Sequence, residues 1–127
     1  MTVDLWASDV KSIVVVCGLN DCLSISGRQA FSAALNAFIS QVKLQQKRCY
    51  ICQFPRLNYP CGWHDQITEN NVNDLNKRIQ IACINSKWTA YPIKISDSVS
   101  QNNLQKDGYH LIDYGRLAKV IRQNLPT

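Results

Sequence analysis

The sequence predicts an α/β fold with a small parallel sheet sandwiched by helices, and three observations carry that expectation. Three short apolar runs are rich in β-branched or aromatic residues. Three longer stretches between and after them carry apolar residues at helical spacing. Turn-forming residues separate the two kinds of segment. Strand and helix in alternation give parallel strands joined by crossover helices. At 127 residues and a hydrophobic fraction of 46%, the chain fits one domain, 1–127, that can bury a core without metal or disulfide staples.

The first run, Ser12-Ile13-Val14-Val15-Val16-Cys17 ended by Gly18, is continuous rather than alternating, the pattern of a central parallel strand. After a loop, Ser26-Gly27-Arg28-Gln29 matches a capping box: the Ser side chain can accept from the N3 amide and Gln29 can reach back. Phe31, Leu35, Phe38 and Val42 then predict a helix over about 27–46. The second strand is expected over 49–54, stopped by Pro55, and 56–68 is a loop with Asn58, Pro60 and Gly62 as turn signals. Val72, Leu75, Ile79 and Ala82 predict a helix over about 70–86. Residues 90–95 form a third strand, which Pro92 places at an edge. A polar loop leads to Asp113, which caps a last helix with Leu117, Val120 and Ile121 inward and Lys119 and Arg122 towards its C-terminus. So small a sheet leaves an edge open, which implies a protein partner, a homodimer or missing N-terminal strands.

No apolar run approaches the ~18 residues that span a bilayer, and Met1 to Trp6 lacks the basic and apolar regions of a secretory signal. An intracellular protein, cytoplasmic or nuclear, is therefore expected, with its six cysteines reduced. Cys17, Cys49, Cys52 and Cys83 lie in apolar segments, where Cys behaves as a small hydrophobe. The spacing Cys49-x-x-Cys52 and Cys61-x-x-His64 has a zinc-like look. Residues three apart on a strand point to opposite faces, however, so no metal is expected there. The net charge of +5 favours an anionic partner, and Lys43, Lys47, Arg48 and Arg56 are the candidate contacts to RNA. Arg56, Tyr59 and Trp63 could form a stacking platform on one loop, or simply cover a core edge.

In open α/β sheets, ligands gather at the carboxyl ends of the strands. Gly18-Leu19-Asn20-Asp21 follows the first strand there. Gly18 permits a tight turn, and Asn20 can aim an amide donor at a developing oxyanion; equally, Gly, Asn and Asp are ordinary turn formers. Asp107-Gly108-Tyr109-His110 precedes the last helix. An acid three residues before a His can fix the imidazole tautomer, although a plain Gly-containing turn has the same residues.

Taken together and in this order, these segments resemble the SGNH (GDSL-type) hydrolase superfamily. Residues 14–21 resemble its Gly-x-Asn-Asp block, and Gln53-Phe54-Pro55-Arg56-Leu57 resembles the Pro-Arg stretch after the next strand. Asn73-Asp74-Leu75-Asn76 is similar to the start of the following helix, and Lys106 to Leu111 with Gly115 is similar to the Asp-Gly-x-His-Leu block. The resemblance covers about residues 9–125 and is closest in flavour to the esterase-like domains of LINE-type retrotransposon proteins. Oskar-like domains, which keep the fold without the catalytic residues and bind RNA, are a related comparison.

The resemblance implies a flavodoxin-like three-layer fold, ester or acyl hydrolysis and no cofactor. It assigns Asn20 to the oxyanion hole, His110 to the base, Asp107 to the orienting acid and Gly18 to the turn presenting Asn20. The family's Gly-Asp-Ser nucleophile block and its second-block Gly have no counterpart here, so the two N-terminal βα units are expected to be missing. A triad without its nucleophile keeps only residual catalysis, which predicts a binding or assembly module. The alternatives are a carboxylester hydrolase whose Ser comes from another segment or chain, one that uses Cys22 as nucleophile, and an RNA-binding module.

Overall fold

The computed structural model describes residues 4–17, 24–57, 59, 61, 65–95, 104 and 114–125. Its elements are β1 (Ser12–Val15), α1 (Ile25–Leu44), β2 (Arg48–Cys52), α2 (Glu69–Asn85), β3 (Ala90–Ile93) and α3 (Tyr114–Asn124). The three strands are parallel and lie in the order β1-β2-β3. The α/β architecture with an open parallel sheet is therefore as expected, with Pro92 on an edge strand.

The central strand is β2, not β1. In β2, Cys49, Tyr50, Ile51 and Cys52 are all buried, the pattern of a strand covered on both faces. In β1 only Ile13 is buried; Val14 is 39% exposed, and Val16 just beyond the strand is 56% exposed. Among the described strands this continuous valine run lies at an edge, with Val14 and Val16 exposed on one face.

Alternation along the strands divides the core into two. Ile13, Cys49, Ile51 and Ala90 pack with Leu35, Ile39 and Val42 of α1 and Val72, Leu75 and Ile79 of α2. Tyr50, Cys52 and Ile93 pack with Ile95 and the α3 residues Leu117, Val120 and Ile121. Two helices therefore lie on one face and one on the other. Val42, Ile51, Leu75 and Ile79 are almost wholly buried, each contributing about 1.5–3 kcal/mol of transfer free energy.

Local chemistry sets the helix ends. The N-cap of α1 is Ser24 rather than Ser26, and its Oγ accepts from the Gly27 N–H at 3.0 Å. The helix so begins early enough for Arg28 to reach α2, where its Nη1 donates to Asn71 Oδ1 at 2.5 Å and its Nε lies 3.5 Å from Asp74. Arg78 joins the same network, donating to Asp74 at 2.9 Å and to Ser32 of α1 at 2.8 Å. At the other end of α1, the Gln46 N–H donates to Lys43 O and the Lys47 N–H to Val42 O, each at 3.0 Å. This is a Schellman motif, with Gln46 at φ 56° where glycine is usual. Thr68 caps α2 by accepting from the Asn71 N–H at 3.2 Å.

Candidate functional site at the carboxyl ends of β2 and β3

Gly18, Asn20, Cys22, His64, Asp107 and His110 lie outside the described residues. The described part of the carboxyl-end surface is built by the segment after β2, the first half of α2 and the residues after β3. Its organising contact is Asn76. Asn76 Oδ1 accepts from the Phe54 N–H at 2.7 Å, and Asn76 Nδ2 donates to Phe54 O at 3.0 Å. Gln53 Nε2 donates back to the Asn76 backbone carbonyl at 3.3 Å. One carboxamide thus satisfies both backbone groups of Phe54 just past the end of the β2 ladder. The Pro-Arg segment is thereby fixed against α2.

Beside this clamp is a crevice of about 640 Å³. Phe54, Pro55, Arg56 and Tyr59 line one wall, Asn73, Lys77 and Gln80 of α2 another, and Lys94 and Ile95 close it beyond β3. Arg56, Lys77 and Lys94 come from three separate parts of the chain: the segment after β2, α2 and the segment after β3. The ion pairs among the described residues all converge on Asp74, so none of these three cations is in one. Glu69 is the single carboxylate among the described lining residues. Burial pushes the Tyr59 phenol up to about 12, helped by Cys61 and Glu69 and opposed by a Leu57 backbone hydrogen bond and Arg56. At neutral pH that phenol is a neutral donor.

Asn73, Asp74, Leu75 and Asn76 do not start a helix; they fall in its second turn, since α2 begins at Glu69. Asn76, Lys77 and Lys94 were missed as site residues by the sequence reading. A signal was present: Asn73, Asn76, Lys77 and Gln80 recur at i, i+3, i+4 and i+7, a polar stripe beside the apolar one.

The basic residues proposed for RNA do not form one surface. Lys47 is 8% exposed, and its Nζ donates to Ala7 O at 2.7 Å and to Val10 O. Its ammonium is thus committed to the N-terminal segment, tying 4–10 to the α1–β2 turn. Lys43 and Arg48 lie at the amino end of β2 and Arg56 beyond its carboxyl end, about 15 Å away along the strand. Lys43 and Arg48 therefore stay together at one end of the sheet, and Arg56 stands apart at the other.

Cys49 and Cys52 occupy opposite faces of β2, as strand geometry requires. Among the described residues no three His, Cys, Asp or Glu side chains gather to hold a metal. Cys17, Cys49, Cys52 and Cys83 are free of disulfides, and burial pushes the thiols of Cys49, Cys52 and Cys83 up to about 11. No described helix is long and apolar enough to cross a membrane.

The class these features define is an α/β domain with an open three-stranded parallel sheet and a polar crevice at its carboxyl ends. No family model matches the chain, and no curated protein matches it.

Proposed function

We propose that this chain is an SGNH-hydrolase-like domain of ester- or acyl-hydrolase ancestry. On this reading it works as an assembly module through the edge of β1 rather than as an independent catalyst. The observation that carries the assembly reading is the contrast between the two edges of the sheet. In the register Ser12↔Arg48, the Arg48 N–H donates to Lys11 O at 3.1 Å, so Lys11, Ile13 and Val15 turn their backbone groups to β2. Ser12 and Val14 turn theirs outward, and both residues are exposed. Among the described strands, only β2 pairs with β1.

At β3 the Cys49 N–H donates to Thr89 O at 2.9 Å and the Gln53 N–H to Ile93 O at 2.9 Å, so Ala90 and Pro92 face outward. Ser86 Oγ accepts the Ala90 N–H at 2.9 Å, and Pro92 has no N–H to offer. One edge is thus blunted and the other is a template for a strand. A second copy fits that template. With an antiparallel two-fold axis at Val14, Val14 meets itself and Ser12 meets Val16, and each pair exchanges two backbone bonds. The exposed valines then adjoin across the seam.

So short a seam is at the small end of interfaces, with an expected Kd on the order of micromolar or weaker. Light scattering on a sizing column at ~100 μM should show a dimer. Val14→Lys with Val16→Lys should return a folded monomer. A wild type that is monomeric at that concentration refutes assembly through this edge. Hydrolysis of a short-chain p-nitrophenyl ester by wild type and by His110→Ala tests the other half: a rate that disappears in the variant overturns the non-catalytic reading.

A further inference from the structure

We infer that the crevice at the carboxyl ends of β2 and β3 binds a small phosphomonoester, with the phosphate held by Arg56, Lys77 and Lys94. The inference is independent of how the chain assembles. Three cations reach this crevice from the post-β2 segment, from α2 and from the end of β3, and none is in an ion pair with a described residue. Among the described lining residues they face one carboxylate, Glu69, which leaves a positive balance in one concave place, whereas Lys43 and Arg48 stand at the far end of the sheet.

The arrangement favours phosphate over carboxylate. A phosphomonoester offers two negative charges and three terminal oxygens, so cations from three directions can each take one, with the guanidinium fork of Arg56 the most directional. A carboxylate offers one charge and two oxygens and would leave cations unused. Asn73 and Gln80 line the same space. The rest of the lining suits the body of the ligand. Phe54, Pro55, Tyr59, Val72 and Ile95 supply an apolar floor, and about 640 Å³ is the size of pocket that encloses a small molecule. A concave site also argues against a polymer, which needs a basic stripe along its path. The Asn76 clamp holds the Phe54–Arg56 wall in place before any ligand arrives, which lowers the ordering cost of binding.

The test is calorimetric titration of the whole chain with phenyl phosphate, inorganic phosphate and benzoate at low salt. Phenyl phosphate should bind tightest, inorganic phosphate more weakly for want of an apolar body, and benzoate weakest. Arg56→Gln with Lys94→Gln should weaken phenyl phosphate by about tenfold or more. Lys43→Gln with Arg48→Gln, which removes as much charge at the opposite end, should leave it unchanged. Circular dichroism on both variants checks that they are folded. The inference is overturned if phenyl phosphate fails to bind at ~10 mM, if benzoate binds as well, or if the two charge-matched variants lose affinity equally.

Discussion

Replacing Asn76 with Ala removes both ends of the clamp on Phe54 and leaves the backbone around it intact. Two hydrogen bonds of 2.7 and 3.0 Å disappear, each contributing about 0.5–1.5 kcal/mol net. Phe54 is buried, so leaving its backbone groups without a partner adds about 1–3 kcal/mol. Ala is the better helix former by roughly 0.5 kcal/mol, which offsets part of the loss. The net expectation is a destabilisation of about 1.5–5.5 kcal/mol, to be set against a total of roughly 6–19 kcal/mol for a domain of this length. Urea unfolding followed by circular dichroism should show the midpoint falling with little change in slope. Asn73→Ala is the control. Asn73 is one turn earlier on the same helix, is exposed and has no described hydrogen bond, so its replacement should be neutral or stabilising by about 0.5 kcal/mol. If Asn76→Ala unfolds at the wild-type midpoint, the clamp holds nothing and the crevice wall is not preorganised by it.

Gln46→Gly should stabilise the protein by about 0.5–1 kcal/mol, because Gln46 sits at φ 56° in the Schellman turn; a loss of stability in the same urea titration would contradict that assignment. Lys47→Met should release residues 4–10, and hydrogen exchange should report it as faster exchange of the Val10 N–H, which donates to Ala7 O at 3.0 Å. Unchanged protection there would mean that the ammonium contacts are incidental. Burial raises the folded-state thiols of Cys49, Cys52 and Cys83 from 9.0 to about 11. As pH rises the unfolded chain ionises first, so the stability these thiols contribute is present below about pH 9 and is lost towards pH 11. A urea midpoint that holds steady from pH 8 to 11 would refute it.

The order of elements and most core positions could be read from the sequence, because apolar periodicity is local information. Leu35, Val42, Val72, Leu75 and Ile79 are buried where the helical spacing put them. What failed depended on distant parts of the chain. Ser24 and Ser26 are both competent caps, and the choice accompanies the fit of Arg28 to Asn71 and Asp74 across the helix pair. Lys47 follows a helix and precedes an arginine, a typical solvated turn, yet carbonyls some forty positions earlier bury it. The valine run of β1 carries no mark of which neighbours its strand will have. At the carboxyl ends, the Pro-Arg segment was singled out through resemblance and does line the crevice, whereas Lys77 and Lys94 become neighbours of Arg56 only through the fold.

The asymmetry between the sheet edges has a consequence for how far association can proceed. A sheet with two receptive edges can add copies at both ends without limit, which is the route to fibres. Here Ser86 occupies the Ala90 N–H and Pro92 withholds its own, so β3 offers a newcomer little to bind. On the proposed reading, a two-fold pair at β1 would consume the receptive edge of both copies and, among the described strands, present only the blunted β3 edges to the outside. Growth would therefore end at two copies, and substitution of Pro92 by a residue with an N–H is the change most apt to let it continue.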